Sequence, residues 1–383
     1  MPEGRIKVLL ALEGVLGGTL RHLDYLLRFA DRREFDIHLA VSAERALHVR
    51  ADFRRWLVAG WHVHEIPMRR EIGPLADLRA LRKLRKLCRR ERFAVVHTHC
   101  AKAGFLGRLA ARATGARTIH TAHVFPFSHD LPDLRRALYL ALERRAARWT
   151  DRFLLLTNYQ LNQYLAAELG PPEQAVVVPN GIVAEDFAGP TREEARRQLG
   201  VGASDKVALF AGRFCEQKGL DVLLGAAQLL AGTVPGLRIL VVGEGPLEGW
   251  LAERVNAQGL AGVVALCGRT DRMPHYYAAC DVVVMPSRAE GMSYVVLEAK
   301  AAARPVVASL VTGMEELVTH GRDGYLVPPD NAEALADVLR DVLARPELLA
   351  EMGENARRGF RDDWRADRAA GRVHDLYREL AAR

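Results

Sequence analysis

The stretch that decides the fold reads Lys206-Val207-Ala208-Leu209-Phe210-Ala211-Gly212-Arg213-Phe214-Cys215-Glu216-Gln217-Lys218-Gly219. Its first half is a short apolar run that ends in a glycine, which is typical of a strand buried inside a sheet. Its second half is a loop that ends in another glycine and opens a helical pattern. Repetition of such a unit predicts parallel sheets covered by helices, because parallel neighbours need a helical crossover.

The same alternation of strand and helix runs through the whole chain. Besides Lys206–Gly212, the predicted strands are Ile6–Leu12, Asp36–Val41, Trp61–Ile66, Ala94–Thr98, Arg117–Ala122, Arg152–Thr157, Ala175–Val178, Leu237–Gly243, Val263–Gly268, Asp281–Met285, Pro305–Ser309 and Gly324–Val327. Between the two groups of strands, Pro179-Asn180-Gly181 is a turn signal that a polar stretch follows. The sequence therefore predicts two doubly wound α/β domains.

The predicted domain boundaries follow from this polar stretch. We predict a first domain over residues 1–182, a linker over 183–205 and a second domain over 206–361. A terminal helix over 362–383 either packs on the second domain or crosses back to the first. Two such domains facing each other would form a cleft at the carboxyl ends of their strands, where these folds bind ligands.

The composition excludes several classes of protein. Hydrophobic residues make up 49% and charged residues 26% of the chain, which is the balance of a globular protein. No apolar run approaches the roughly 20 residues that cross a bilayer, and residues 1–12 read as a strand rather than a signal peptide. The five cysteines include no CxxC pair and predict neither a disulfide framework nor a zinc site, so we expect a cytoplasmic protein.

The net charge of +7 is concentrated in one segment of the chain. Residues 69–92 hold ten lysines and arginines against three acidic residues, a local charge of +7. On a helical wheel, Ala80, Leu81, Leu84 and Leu87 share one face and the cations lie on the other. That basic face is either the solvated back of a packed helix or a surface that docks on anionic lipid or an acidic acceptor. It does not predict nucleic-acid binding, since no aromatic residues alternate with the cations.

Two cations stand at the junction between the strand and the helix in residues 206–219. Arg213 and Lys218 are five residues apart, and the following helix adds the positive end of its dipole. This arrangement suits a diphosphate, although the order of a P-loop is absent. The alternative is that both are surface charges beside a turn.

A second segment, Met285-Pro286-Ser287-Arg288-Ala289-Glu290-Gly291-Met292-Ser293-Tyr294-Val295-Val296-Leu297-Glu298-Ala299, places two carboxylates eight residues apart. If a helix begins near Gly291, Glu290 stands at its mouth and Glu298 about two turns along it. The amides of residues 291–293 would then lack intrahelical partners and face an anion. Carboxylates accept hydrogen bonds from vicinal hydroxyls, so Glu298 suits a ribose and Glu290 a sugar. The alternative is an N-cap and a buried salt-bridge partner.

Together and in this order, these segments resemble the retaining glycosyltransferases of family 4, which have the GT-B fold. The resemblance covers nearly the whole chain. It rests on the Arg213 and Lys218 pair, the Glu290 and Glu298 pair and five further motifs. These are Gly17-Gly18, Thr121-Ala122-His123, Val178-Pro179-Asn180-Gly181, Val242-Gly243-Glu244-Gly245-Pro246 and Arg304-Pro305-Val306-Val307-Ala308. The resemblance implies a nucleotide-sugar-binding second domain and a first domain on the acceptor side.

Residue roles follow from the resemblance at matching positions. Arg213 and Lys218 would neutralise the diphosphate as the bond to the anomeric carbon breaks, Glu290 would hold hydroxyls of the donor sugar, and His123 would bond near its reacting face. The donor-binding residues implied are Gly17, Gly18, Gly212, Gly268, Arg269, Gly291, Met292, Ser293, Val295 and Glu298. Ser293, Lys300 and Asn158 depart from the residues most frequent in the family, and Ser293 leaves the donor sugar open.

Several further residues are candidates for the acceptor side. His97, His99 and Lys102 follow a buried strand and would line it, and Phe125 and Phe127 either shape an acceptor pocket or belong to the core. Two histidines without an adjacent carboxylate make zinc an unfavoured interpretation, and His62 and His64 are interpreted as structural. No DxD motif occurs, so we expect no metal and no cofactor besides the donor substrate.

The sequence therefore predicts a retaining, metal-independent transferase that moves a hexose or N-acetylhexosamine, with UDP-sugar as the expected donor, in glycan, glycolipid or natural-product biosynthesis. A non-hydrolysing UDP-sugar 2-epimerase of the same fold is one alternative. A dehydrogenase is poorly supported, because the residues around Gly243 do not match GxGxxG. From another class, a non-catalytic protein could use its basic helix to bind anionic ligands or the inner membrane face. The acceptor stays open, since fold alone does not assign it.

Overall fold

A computed structural model describes residues 4–44, 49–69, 71–128 and 131–383. The chain divides into two compact units. Unit 1 contains residues 1–181 and 366–383, and unit 2 contains residues 182–365. Each unit is built on one parallel sheet with helical crossovers, as the alternating pattern predicts.

The described residues of unit 1 form a sheet of seven parallel strands in the order β3-β2-β1-β4-β5-β6-β7. The strands are β1 Ile6–Leu12, β2 Phe35–Val41, β3 His62–Glu65, β4 Val95–His99, β5 Arg117–Thr121, β6 Arg152–Leu155 and β7 Ala175–Val177. Its helices are α1 Gly18–Arg28, α2 Arg50–Val58, α3 Pro74–Glu91, α4 Ala101–Ala111, α5 Asp133–Ala147 and α6 Asn158–Ala166. The strand order reverses between β1 and β4, which is where doubly wound sheets bind ligands at their carboxyl ends.

The described residues of unit 2 form a six-stranded parallel sheet in the order β10-β9-β8-β11-β12-β13. The strands are β8 Lys206–Ala211, β9 Leu237–Val242, β10 Val264–Gly268, β11 Val282–Met285, β12 Val306–Ser309 and β13 Gly324–Val327. Its helices are α7 Arg192–Leu199, α8 Leu220–Leu230, α9 Glu248–Ala257, α10 Met273–Ala279, α11 Tyr294–Ala301, α12 Ala332–Leu343 and α13 Pro346–Arg358. The last helix of the chain, α14 Ala366–Ala381, lies in unit 1. Here the order reverses between β8 and β11.

Two of the expected boundaries differ from the structure. Residues 183–205, predicted as a linker, are part of unit 2 and contain a 3-10 turn at Ala184–Phe187 followed by α7. The polar composition of residues 183–205 led to the prediction of a linker. Helix α7 buries only a small apolar face, in which Ala195 packs against Ala278 and Ala279. The terminal segment, residues 362–383, is divided between the two units. Residues 362–365 belong to unit 2, and α14 belongs to unit 1.

Helix α3 carries the basic segment as predicted. Its buried residues are Ala80, Leu81, Leu84, Leu87 and Cys88, the same face that the helical wheel identifies. A surface depression on the opposite face is lined entirely by cations, which are Arg82, Arg85, Lys86, Arg89 and Arg90. None of the helices in the described part of the chain combines the length and the apolar character needed to span a membrane.

Candidate active site

The reversal of strand order in unit 2 brings the two predicted motifs together. Lys218 lies in the loop after β8, and Glu290 lies in the loop after β11. The Lys218 ammonium donates to Glu290 Oε1 at 2.6 Å, and both side chains are largely buried. Neighbouring strands thus bring together a cation and a carboxylate that are 72 residues apart in sequence.

The two loops interlock around a glycine. Gly219 has a φ of +62°, and a Cβ there would lie 1.9 Å from the carbonyl oxygen of Pro286. Only glycine fits this close approach in a left-handed backbone. Beside it, the Gln217 side chain donates to the Ala289 carbonyl at 2.8 Å, and the Arg288 amide donates to the Gln217 carbonyl at 2.8 Å. The position of Lys218 relative to Glu290 is therefore fixed by backbone contacts.

Arg288 clamps the same pair of loops from outside. Its guanidinium donates to both oxygens of Asp221, at 3.0 and 2.6 Å, and to Asp330 at 2.6 Å. It also donates to the Glu216 carbonyl at 2.6 Å. Sequence reasoning did not single out Arg288, although it stands two residues before Glu290. A planar, bidentate donor is the side chain suited to such a clamp.

Arg213 is half-buried at the end of β8, and no ion pair of its side chain occurs among the described residues. Behind it, Gly243 approaches the backbone so closely that a Cβ would lie 1.9 Å from the carbonyl oxygen of Gly212. Gly243 has a φ of +148°, which L-residues rarely adopt. The VGEGP motif therefore packs directly against the loop that carries Arg213, and the guanidinium stays available for an anion.

Three of the predicted donor-binding residues after β11, Gly291, Met292 and Ser293, lie in a loop that precedes the helix. Helix α11 begins at Tyr294, three residues later than expected, and Ser293 is its N-cap residue. Met292 and Ser293 are buried in the turn, and the Ser293 hydroxyl faces Met285 Sδ at 3.6 Å, so burial of these side chains delays the helix. Val295 is half-buried in the first turn of α11.

Glu298 lies on α11 and is only 1% exposed. Its Oε2 accepts a hydrogen bond of 2.7 Å from the Tyr277 hydroxyl. A carboxylate held in this way is oriented by the protein before any ligand binds. Along the sheet, Gly268 ends β10 with a φ of +63°, and Arg269 forms an ion pair of 3.4 Å with Glu244.

In unit 1, the reversal of strand order collects three histidines. His99 ends β4, His123 follows β5, and His22 lies on α1. His99 Nδ1 and His123 Nε2 share a hydrogen bond of 3.2 Å, and the ring centroid of His22 is 5.1 Å from that of His123 and 5.4 Å from that of His99. The loop of Gly17 and Gly18 is exposed at the start of α1.

This cluster is largely buried, and burial disfavours the charged form of its imidazoles. Burial lowers the pKa of His22 to about 4 and holds the pKa values of His99 and His123 well below their usual range. His123 adopts a φ of +58°, a backbone conformation that strains any residue other than glycine, and the Gln160 side chain donates to its carbonyl at 2.7 Å. Such strain is typical of functional sites.

Sequence reasoning missed His22, Asn180 and Gln160 as parts of this cluster. The His22 ring bonds Asn180 Oδ1 at 3.2 Å. Asn180 belongs to a motif quoted above, and its polar side chain near a strand end could have indicated a role in this site. For His22 the sequence offered no such signal, apart from its position five residues after Gly17.

Three of the acceptor-side candidates are buried or already paired in the structure. His97 has no exposed surface, because the terminal helix covers it, and its nitrogens bond Tyr377 at 2.7 Å and Thr121 at 2.9 Å. Phe125 is also fully buried and stacks on the half-buried Phe127 at 5.0 Å, so it belongs to the core. The Lys102 ammonium is paired with Asp77 at 2.6 Å and bonds the Glu71 carbonyl, which anchors α3 to α4.

Fold and site together define an enzyme with two Rossmann-like domains. Its candidate anion-binding site contains two cations and a carboxylate. Family models match both parts of the chain. The model for glycosyl transferases group 1 matches residues 191–359, and the model for a glycosyl transferase 4-like domain matches residues 17–181. The chain belongs to the group 1 glycosyl transferases and has the GT-B fold.

Two curated relatives show the level of similarity. The chain is 27% identical over 381 residues to UDP-Gal:alpha-D-GlcNAc-diphosphoundecaprenol alpha-1,3-galactosyltransferase from Escherichia coli, covering 98% of this chain and 96% of that enzyme. It is 32% identical over 309 residues to D-inositol 3-phosphate glycosyltransferase from Saccharomonospora viridis, covering 76% of this chain and 71% of that enzyme.

Two solved structures share the fold. HepE from Anabaena in complex with UDP and glucose has a TM-score of 0.81 at 20% identity, covering 97% of this chain and 99% of that chain. Sucrose-phosphate synthase from Thermosynechococcus elongatus has a TM-score of 0.81 at 22% identity, covering 99% and 100%. The protein is a nucleotide-sugar-dependent glycosyltransferase, and neither the epimerase nor the non-catalytic alternative is favoured.

Proposed function

We propose that this protein is a retaining, metal-independent hexosyltransferase that takes a hexose or N-acetylhexosamine from a UDP-sugar. The observation that carries the proposal is the Lys218–Glu290 pair beside Arg213 at the strand reversal of unit 2. In this proposal unit 2 binds the nucleotide sugar and unit 1 contributes the acceptor side. The UDP complex of the structurally similar HepE and the UDP-Gal donor in the name of the E. coli relative support the choice of nucleotide.

The proposed chemistry follows from the charges at this point of the sheet. Arg213 and Lys218 neutralise the diphosphate and the negative charge that it gains as the bond to the anomeric carbon breaks. These two cations supply the charge that a metal ion supplies in other transferases. Glu290 accepts hydrogen bonds from the sugar hydroxyls, and Glu298 from the ribose hydroxyls.

The state of the two carboxylates argues against a covalent glycosyl-enzyme intermediate. Glu290 is engaged by Lys218, and Glu298 is engaged by Tyr277, so neither is positioned as a free nucleophile. We therefore propose that the acceptor hydroxyl attacks from the face that the diphosphate leaves, and that a phosphate oxygen receives its proton.

The donor and the stereochemistry can be tested together. UDP-, GDP-, ADP- and TDP-sugars are incubated with the protein without acceptor, with Arg213→Ala as the blank. We expect slow release of UDP from one UDP-sugar, lost in the blank and unchanged by EDTA.

With an α-D-GlcNAc-diphosphate lipid as acceptor, we expect an α-linked product, identified by the coupling constant of its anomeric proton. A β-linked product would exclude retention, and a loss of activity in EDTA that Mg²⁺ or Mn²⁺ restores would exclude metal independence.

We further propose that the acceptor is carried on an anionic membrane surface, to which the protein binds peripherally from the cytoplasm. The cation-lined depression on α3 supports this, and three apolar residues near the start of the same helix are exposed: Ile72 by 54%, Leu75 by 72% and Leu78 by 40%. Cations beside exposed apolar side chains are the composition of an interfacial helix. The E. coli relative acts on a diphosphoundecaprenol-linked sugar, as its name states.

Charge reversal on α3 is expected to weaken membrane binding strongly. Each cation near an anionic surface contributes about 1 kcal/mol, so Arg82→Glu, Arg85→Glu and Arg89→Glu together lower the partition coefficient about 100-fold or more. Co-sedimentation with liposomes of mixed anionic and zwitterionic lipid at low and high salt measures it. The matched control reverses three exposed arginines of unit 2, Arg197, Arg254 and Arg322. Equal binding by both triple variants would contradict a role for α3.

A further inference from the structure

A second group of histidines lies at the other end of the unit 1 sheet. In the parallel register His38 on β2 pairs with His62 on the edge strand β3, and Ala40 pairs with His64. Because side chains alternate along a strand, Asp36, His38, His62 and His64 share one face. Asp36 and His62 stand at or near the amino ends of their strands, whereas His99 is the last residue of β4 and His123 follows β5. This group is therefore separate from the candidate active site.

Its polar atoms have the spacing of metal ligands. Asp36 Oδ1 is 3.4 Å from His62 Nε2 and 3.8 Å from His38 Nε2. The three ligand atoms all lie within 4.8 Å of one another. Tetrahedral zinc with bonds of about 2.0–2.1 Å separates its ligand atoms by about 3.3–3.4 Å. Small side-chain rotations would thus place three ligands on one ion.

His64 orients one of these ligands. Its Nε2 shares a hydrogen bond of 3.0 Å with His38 Nδ1, which leaves His38 Nε2 directed at Asp36. A hydrogen bond on the second ring nitrogen is the usual support of a metal-binding histidine. The ring of Phe93 packs edge-on against His38 with centroids 5.1 Å apart and fixes it further.

The Asp36 carboxylate already has a cationic partner, because its Oδ2 lies 3.7 Å from the Arg5 guanidinium. Its other oxygen, Oδ1, faces the Nε2 atoms of both His38 and His62, so three possible ligand atoms converge on one point. The side chain of His62 is 53% exposed, which gives an ion a path from solvent and leaves room for water as a fourth ligand.

We propose that Asp36, His38 and His62 bind one divalent transition metal ion, with Zn²⁺ as the ion that this donor set fits best. The ion would join the edge strand β3 to β2 and stabilise unit 1. The site is independent of the proposed transfer chemistry, which uses no metal.

The test is metal binding by the full-length protein after removal of metal with EDTA. A competition titration of Zn²⁺ against a chromophoric chelator is expected to give one equivalent bound, and Co²⁺ is expected to give the visible absorption of a tetrahedral site. Asp36→Asn and His62→Ala each remove a ligand and should weaken binding by at least tenfold, whereas His64→Gln, a change in a positioning residue, should weaken it about tenfold. Zn²⁺ should raise the melting temperature of the wild type but not that of His62→Ala.

Two further variants make the result specific. His62→Cys should retain binding and add a thiolate-to-Co²⁺ charge-transfer band, which a merely structural histidine would not produce. His123→Gln disrupts the other cluster, where His22, His99 and His123 also bring their ligand atoms within 4.8 Å, and should leave binding unchanged. Absence of stoichiometric binding by the wild type overturns the proposal, as does binding that survives His62→Ala and is lost in His123→Gln. Transfer activity should be unchanged in His62→Ala, so failure here and failure of the proposed function are distinct.

Discussion

Lys218→Ala is expected to reduce sugar transfer by about 100- to 1000-fold, the range found when one fixed donor to a developing oxyanion is removed. The ammonium is held at 2.6 Å from Glu290 by interlocked loops, so no reorganisation is needed when charge develops on the diphosphate. Arg213→Ala should show a loss of similar size. Single-turnover measurement of transfer at saturating donor separates this loss in rate from weaker donor binding.

The ion pair complicates the interpretation of a single substitution. Removing Lys218 leaves Glu290, which is 7% exposed, as an unpaired buried carboxylate, and such a change destabilises proteins by itself. The double variant Lys218→Met and Glu290→Gln removes both charges at nearly constant volume. We expect it to fold with a melting temperature near that of the wild type and to remain as inactive as Lys218→Ala.

A surface ion pair elsewhere in unit 2 provides the control. Arg340 pairs with Asp337 at 2.6 Å on the exposed side of α12, and Arg340→Ala should retain full activity. Removing a donor to a developing oxyanion lowers the rate by more than tenfold. If the double variant transfers sugar at more than a tenth of the wild-type rate, Lys218 serves only to neutralise Glu290. The role proposed for Lys218 would then be wrong.

The sequence was sufficient to predict features that depend on local pattern. The strand over Ile6–Leu12 and the buried face of α3 are found where the apolar pattern predicts them, because continuous apolar runs and helical periodicity are properties of neighbouring residues. The resemblance to a known family placed Lys218 and Glu290 around one donor, but it did not predict the ion pair between them.

Features that depend on distant contacts were not accessible. His97 was assigned to the acceptor side because it follows a strand, but Tyr377, 280 residues away, covers it. The start of α11 was placed too early because burial of Met292 and Ser293 is decided by the sheet beneath them. The histidine group on β2 and β3 depends on the register between two strands, and alternation within either strand alone indicates only a structural role.

Mild acid is expected to unfold unit 1 before unit 2. Seven buried histidines of unit 1 have pKa values lowered chiefly by burial. They are His22, His38 and His374, each to about 4, and His97, His99, His120 and His123, each well below the usual range. Unit 2 contains only two histidines in its whole sequence, His275 and His320.

The direction follows from proton linkage. Below pH 6.5, about the pKa of a solvated histidine, the unfolded chain binds protons that the native state does not accept. Stability is therefore complete above that pH and is lost as the pH falls toward the native pKa values. One such group changes stability by up to about 1.4 kcal/mol per pH unit, so several together are enough to offset much of the stability of a typical domain. Unit 1 should thus lose its stability between about pH 6 and pH 5.

Urea denaturation of the full chain over a series of pH values measures this effect. Hydrogen exchange of peptides from each unit, corrected for the intrinsic pH dependence, assigns the transitions. His120→Gln should lower the pH slope for unit 1 by about one proton, or 1.4 kcal/mol per pH unit, because glutamine keeps a neutral polar group beside Thr98 but takes up no proton. The matched change His320→Gln in unit 2 should leave that slope unchanged. A midpoint for unit 1 that does not move between about pH 7.5 and pH 5 would mean that these histidines are already protonated in the native state, against the direction that their burial dictates.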